Sequence, residues 1–187
     1  MSSRDLVLIA LFAAIVVVLG LVPPVTIGLL PVPITAQSMG VMLAGCILGA
    51  KRGALTFLLV ILMVALGLPV LSGGRGGLAI LAGPTAGYIF GWVAGAFVTG
   101  LIAERLVRDS QGGARQILGF ALAALIGGVG VVYLFGTLWL AYAKGIALPA
   151  ALLGQLPFIP GDLIKVAIAA LAARSVMVGY PLLPQRG

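Results

Sequence analysis

Long apolar segments recur along the whole chain, and they restrict its folding more than any other feature. Residues 6–22 are the first such segment, which ends at Pro23 and Pro24. A helix needs about 20 predominantly apolar residues to cross a bilayer core of about 30 Å. Only 8% of the 187 residues are charged, whereas a soluble domain carries about 25%. The sequence therefore predicts an integral membrane protein.

The apolar segments lack the alternation of polar and apolar residues that membrane strands show, so an all-α fold is expected. We predict one transmembrane substrate-binding domain over residues 1–187. Its six helices lie at about 5–22, 36–50, 53–69, 84–104, 116–143 and 161–177. We also expect a tight charged turn at Lys51 and Arg52, between the second and third helices.

The basic residues predict how the bundle is oriented, because lysine and arginine favour the cytoplasmic side of a membrane protein. If both termini are cytoplasmic, eight of the eleven basic residues lie inside: Arg4, Lys51, Arg52, Arg105, Arg108, Arg115, Arg174 and Arg186. The other three lie at outer ends: Arg75, Lys144 and Lys165. We therefore predict cytoplasmic N- and C-termini in a multi-pass protein of the bacterial cell (inner) membrane, surrounded by membrane lipid.

Missing residue types and motifs exclude several classes of function. The chain has no histidine, which excludes His-ligated metal sites and Ser-His catalysis. Its one cysteine, Cys46, lies in an apolar segment. The chain contains no Walker motif for ATP, and its basic residues form no patch for nucleic acid. We predict no catalytic residue, no metal, no cofactor and no nucleic-acid partner.

A pair of opposite charges opens the last apolar segment, in the stretch PFIPGDLIK at residues 157–165. Asp162 and Lys165 are three residues apart, so they share one face of a helix and can touch. A charge near the bilayer centre costs roughly 2.5–3.5 kcal/mol on insertion scales, so such a pair marks a functional site. The alternative is an ion pair that only neutralises itself within the bundle.

Two irregular segments fall on the same predicted outer side as this pair. Residues 23–36 contain four prolines yet are mostly apolar, which predicts a loop that covers a cavity as a lid. Thr35 and Gln37 stand at its end and can offer polar groups. Arg75 lies in a glycine-rich loop and suits carboxylate capture; a solvated loop charge is the alternative.

Small residues recur at helical spacing in two places. Gly83, Gly87, Gly91 and Gly95 follow one another every four residues, which predicts close helix packing along this seam. Tyr88, beside the seam, is either an interfacial anchor or a cavity wall. Ala10 and Ala14 form a small-xxx-small pair that lets another helix approach closely, although an alanine-rich chain also produces such a pair by chance.

Four separate stretches together resemble the BioY family: PVPITAQSMGVMLAGCILGAKRGAL, GLPVLSGGRGG, GPTAGYIFGW and PFIPGDLIKVAIAA. The resemblance covers about residues 5–175, in the family's order. Family members are the biotin-specific substrate-binding subunits (S components) of energy-coupling-factor (ECF) transporters. The resemblance implies high-affinity capture of biotin near the outer face and inward movement with a transmembrane coupling (T) subunit and ATP-binding ATPase subunits. It also implies that Ala10 and Ala14 contact the T subunit.

The resemblance further implies roles for the candidate site residues. Asp162 would accept a hydrogen bond from a ureido N–H of biotin, and Lys165 would contact the ureido oxygen or the carboxylate. Arg75 would take the other anionic or carbonyl group. Second-rank wall or hydrogen-bonding positions are Gln37, Thr35 and Tyr88.

Other functions remain open from the residues alone. A self-sufficient secondary transporter or facilitator of a small organic anion is the main alternative, although the chain shows no internal repeat. An intramembrane enzyme would need a second acid beside Asp162 or a Ser-Lys pair. A purely structural bundle would tolerate loss of the Asp162 and Lys165 charges.

Overall fold

The computed structural model describes residues 1–26, 32–108, 110 and 112–183. Over these residues the chain is helical, and two isolated bridges stand in place of any strand. The helices are α1 (Ser3–Gly20), α2 (Gln37–Leu48), α3 (Ala50–Ala65), α4 (Leu78–Ala82), α5 (Ala86–Leu106), α6 (Gly113–Ala123), α7 (Val132–Lys144), α8 (Leu148–Leu153) and α9 (Ile159–Gly179). The predicted all-α fold is confirmed for the described residues.

Four helical stretches of the described chain are long and apolar enough to cross a membrane: Ser3–Gly20, Ala86–Leu106, Gly113–Lys144 and Leu148–Gly179. The remaining two of the six predicted helices correspond to α2 and α3, which have 12 and 16 residues. At about 1.5 Å per residue, α2 is roughly 18 Å long, well short of a bilayer core of about 30 Å. Helix α2 is therefore too short to cross such a core by itself.

The turn between α2 and α3 lies two residues earlier than the sequence predicted. Gly49 alone makes the reversal, with a φ of 84° that favours glycine, and α3 already begins at Ala50. The Glu104 carboxylate accepts the Ala50 N–H at 2.8 Å and so caps α3. Lys51 and Arg52 belong to the first turn of α3, so the predicted charged turn is wrong.

The glycine seam is the contact between α5 and the long helical stretch that ends in α7. A Cβ at Gly87 would lie 2.2 Å from the Cβ of Trp139, and one at Gly95 would lie 2.7 Å from a methyl of Val132. The predicted close packing is therefore confirmed for Gly87, Gly91 and Gly95. Gly83 lies before α5, and a Cβ there would meet only the neighbouring turn, so its place in the seam is wrong.

A π-helical segment, Ala124–Val131, joins α6 to α7 and was not predicted. Gly127 and Gly128 of this segment face Thr99 and Met42, respectively, too closely for any side chain. The extra residue per turn changes the face that the following helix presents. Consequently α7 directs Val132 and Tyr133 to the candidate site described below.

Charged and polar groups gather at the end of the bundle away from that site. Arg52 forms an ion pair with Asp5 at 3.5 Å and donates a hydrogen bond to the Leu182 carbonyl. The Arg4 guanidinium lies 5.1 Å from the ring centre of Tyr180. These contacts tie the start of α1, the start of α3 and the segment after α9 together. Arg186, which entered the orientation prediction, lies outside the described residues.

Candidate substrate-binding site

One cavity contains every residue that the sequence nominated for binding. The cavity lies between α2, α5, α7 and α9, and its empty space including the open mouth is about 720 Å³. Its lining includes all six nominated residues: Thr35, Gln37, Arg75, Tyr88, Asp162 and Lys165. Its walls are largely apolar, with Trp92, Ile89 and Phe158 among them.

Asp162 and Lys165 form the charged centre of the cavity. They share one face of α9, and the Lys165 ammonium contacts the Asp162 carboxylate at 2.7 Å. Asp162 is 6% exposed, so water screens this pair only weakly. The second carboxylate oxygen accepts a hydrogen bond from the Tyr133 hydroxyl at 2.5 Å. Lys165 also donates to the Ser38 hydroxyl at 2.9 Å.

This network leaves hydrogen-bonding capacity for a ligand. An ammonium has three N–H groups, and the described contacts of Lys165 use two of them. A carboxylate offers about four lone-pair positions, and the contacts given for Asp162 fill one on each oxygen. The pair can therefore accept from one ligand group and donate to another at the same time.

Arg75 stands at the rim of the cavity, in a turn that its own backbone closes. Its backbone N–H and C=O pair with those of Leu71 at 3.1 and 3.0 Å. Its Nε donates to the Ser72 carbonyl at 3.0 Å, and this hydrogen bond orients the guanidinium. The side chain is half-buried rather than fully solvated, a placement that suits an anionic group at the mouth.

Gln37 lines the cavity, but its amide is committed to the protein. Its Nε2 donates to the carbonyls of Val16 and Val70 at 3.1 and 2.9 Å, and its Oε1 accepts the Ser72 N–H at 2.8 Å. One buried side chain thus joins α1, α2 and the loop before Arg75. We interpret Gln37 as a positioning residue, since both of its amide N–H groups are occupied.

The loop after α1 approaches the cavity as the sequence suggested. Val25 and Ile34 pair through backbone hydrogen bonds of 2.9 and 2.8 Å, and residues 32–35 line the cavity. The middle of the predicted lid, residues 27–31, lies outside the described residues.

Tyr88 belongs to the cavity wall, which decides between the two interpretations left open by the sequence. Its hydroxyl accepts a hydrogen bond from Gln155 Nε2 at 2.5 Å. Gln155 is 3% exposed and lies just after α8, in a stretch that the sequence analysis treated as a plain connection. This contact joins α5 to the segment that leads into α9.

Four polar residues of the cavity were missed in the sequence: Ser38, Thr85, Tyr133 and Gln155. Tyr133 carried a usable signal, because a tyrosine inside an apolar helix needs a partner for its hydroxyl. Ser38 and Gln155 carried none, since their partners are 127 and 67 residues away in sequence.

Comparison with known proteins assigns the family. The family model described as "BioY family" matches residues 1–181. The chain belongs to the BioY family. A relative named biotin transporter BioY from Rhizobium etli is 62% identical over 186 residues and covers 100% of both chains. The relative of that name from Rhodobacter capsulatus is 50% identical over 183 residues, 93% of each chain.

A solved structure shows the same fold. The crystal structure of the S-component for biotin from an ECF-type ABC transporter matches with a TM-score of 0.88 and 34% identity, over 95% of each chain. The resemblance stated from the four motifs is therefore confirmed, and so is the prediction of a helical membrane bundle. The BioY relatives are transporters, which confirms that this chain is a membrane transport protein and not an enzyme.

Proposed function

We propose that this chain binds biotin in the cavity around Asp162 and Lys165 and carries it into the cell as the S component of an ECF-type transporter. The observation that carries this proposal is the nearly buried Asp162–Lys165 pair in a largely apolar cavity. The proposal is supported by the likeness to a biotin S-component over 95% of the chain. We propose further that the whole chain is one substrate-binding domain.

The chemistry of biotin complements the groups in the cavity. Biotin has a ureido ring with two N–H donors and a carbonyl, an apolar thiophane ring and a valerate carboxylate. Asp162 accepts a ureido N–H, and the free N–H of Lys165 serves the ureido oxygen or the carboxylate. Arg75 takes the remaining anionic or carbonyl group at the mouth. Trp92 and Ile89 enclose the thiophane ring, with Thr35 and Tyr88 beside it.

The proposed route runs from outside to inside. The basic residues favour cytoplasmic termini, which places the cavity mouth on the outer side of the cell membrane. The loop of residues 23–36 then covers the bound vitamin. Because the sequence contains no Walker motif, the energy for release inward comes from partner ATPase subunits through a T subunit.

Equilibrium binding of biotin to the purified, detergent-solubilised chain without partners tests this function. We expect tight, saturable binding that excess unlabelled biotin displaces. A folded chain that does not bind biotin would contradict the proposal and leave the secondary transporter as the better hypothesis. Folding is checked through Cys46, the one cysteine, which is fully buried and reacts with a thiol-specific dye only after unfolding.

If α1 contacts the T subunit, a bulky substitution on its exposed face should impair assembly with that subunit without changing biotin binding. Ala10 and Ala14 are both exposed on α1, whereas Phe12 and Ala13 face the core. Ala14→Trp should change biotin affinity less than twofold, because α1 presents this face away from the cavity. It should reduce co-purification of the T subunit at least tenfold, since an indole prevents close helix approach.

The matched control adds the same indole to another lipid-facing position, Leu122, which is 40% exposed on α6. Leu122→Trp should leave both biotin affinity and assembly intact. Undiminished co-purification of the Ala14→Trp variant would count against this use of the α1 face.

A further inference from the structure

Gly136 leaves room for the ring of Tyr88 beside α7. Gly136 is buried in α7 and does not itself line the cavity. A Cβ at this position would lie 2.2 Å from two carbons of the Tyr88 ring and 2.5 Å from a third. Non-bonded carbons pack at about 3.5–4.0 Å, so a side chain here would displace the ring by roughly 1 Å or more. The ring therefore occupies the space that a side chain at position 136 would fill.

Packed groups surround Tyr88 on several sides, and the cavity lies beside it. The Tyr88 hydroxyl accepts a hydrogen bond from Gln155 Nε2 at 2.5 Å. Tyr88 also packs against a small buried cluster of Val32, Leu140 and Phe158. Close-packed groups yield little, whereas the cavity that Tyr88 borders is empty space. A ring pushed away from α7 is therefore expected to enter the cavity.

We propose that Gly136 is a specificity-determining residue that acts through Tyr88. By leaving room for the tyrosine ring beside α7, it keeps the cavity wide enough for the fused double ring of biotin. This inference rests on the proposed function and deepens it, because it names a residue outside the lining that sets the width of the site. In the proposed site, Tyr88 lies beside the thiophane ring. Bulk added at position 136 should therefore exclude wide ring systems before narrow ones.

Desthiobiotin is the probe for this width. It has the same ureido ring and a terminal carboxylate, but it lacks the sulfur atom and therefore has no thiophane ring. Its polar groups suit the same partners in the cavity, whereas its ring system is narrower. The ratio of the affinities for biotin and desthiobiotin thus reports the width of the site.

Gly136→Ala adds one methyl group behind the Tyr88 ring. We expect biotin binding to weaken between about fivefold and a hundredfold, the effect of moderate overpacking. Desthiobiotin binding should weaken less than about threefold, because the displaced ring enters space that this ligand leaves empty. Equilibrium titration of both ligands into the detergent-solubilised chain measures the two affinities.

The matched control is Gly130→Ala, at another glycine of the same long helical stretch. A Cβ at Gly130 would have its nearest listed neighbour, the Leu125 carbonyl oxygen, at an ordinary 3.7 Å. This variant should leave the affinities for both ligands unchanged. The dye reaction of Cys46 verifies that each variant is folded.

A second substitution tests whether Gly136 acts through the tyrosine ring. Tyr88→Ala removes the ring, so a methyl group at position 136 no longer has a ring to displace. Adding Gly136→Ala to the Tyr88→Ala variant should therefore change its affinity for biotin less than about twofold, as a double-mutant cycle measures.

Equal weakening of biotin and desthiobiotin by Gly136→Ala would overturn this assignment, and so would unchanged binding of both. A Gly136→Ala variant that does not fold would also overturn it, because position 136 would then limit the bundle rather than the cavity. A loss of fivefold or more in the Tyr88→Ala background would show that the ring is not involved. Failure of the proposed function gives a different result, since the unmodified chain would then not bind biotin at all.

Discussion

Asp162→Asn should reduce biotin affinity at least a hundredfold, which corresponds to about 2.7 kcal/mol. The carboxylate contacts Tyr133 and Lys165 at 2.5 and 2.7 Å, so it balances a cation, and in the proposed site it also accepts an N–H of the ligand. The asparagine amide leaves the Lys165 ammonium, whose side chain is 14% exposed, without its anion. Removing one partner of a buried pair costs about 3–5 kcal/mol, so the variant should also unfold at lower temperature.

The loss of stability and the loss of biotin binding can be separated with a double variant that carries neither charge. Asp162→Asn combined with Lys165→Met removes both charges and should recover much of the unfolding temperature, because no charge stays unpaired. It should not recover biotin binding. Tyr133→Phe keeps the ion pair and removes one hydrogen bond to a charged group, so we expect a loss of roughly tenfold.

Titration of biotin into the detergent-solubilised variants measures affinity, and the temperature at which Cys46 becomes reactive measures stability. Wild-type affinity in folded Asp162→Asn would remove Asp162 from the binding site. Biotin binding by the neutral double variant would show that the pair serves the bundle alone, the alternative that the sequence left open.

Gly100→Ala should destabilise the bundle strongly although it adds only one methyl group. A Cβ at Gly100 would lie 2.2 Å from the Ala50 nitrogen and 2.3 Å from the Gly49 carbonyl carbon. Both atoms belong to the backbone of the α2–α3 turn, so no side chain can move aside. Overpacking costs about 1–3 kcal/mol, and we expect the upper end of this range. Alanine returns about 1 kcal/mol of helix propensity, which leaves roughly 2 kcal/mol of net destabilisation.

Thermal unfolding followed through Cys46 measures this effect, and Gly179→Ala is the matched control. A Cβ at Gly179, also a helical glycine, would have no neighbour within 4 Å. Gly179→Ala should therefore unfold at the wild-type temperature or slightly above it. An unfolding temperature for Gly100→Ala equal to that of the control would contradict the tight contact between α5 and the α2–α3 turn.

The sequence predicted local features well because each depends on neighbouring residues. The apolar segments indicated a helical membrane bundle, and the comparisons confirm it. The spacing of Asp162 and Lys165 placed both charges on one helix face, where they meet at 2.7 Å. The four-residue glycine repeat likewise located the packing face of α5. The turn at Lys51 and Arg52 was wrong because charge suggested a loop, whereas Gly49 supplied the backbone geometry.

Only the tertiary structure decided which distant groups complete the cavity. Gln37 was predicted as a second-rank wall or hydrogen-bonding position; it lines the cavity, and its amide binds Val16 and Val70, 21 and 33 residues away. Tyr133 reaches Asp162 after the π-helical segment has changed the register of α7. Helical periodicity determines which residues three or four positions apart lie side by side on one helix. Contacts between helices depend instead on the crossing angles, lengths and relative registers of those helices. The sequence thus determined the class of protein and its charged pair, and helix packing decided which polar groups surround that pair.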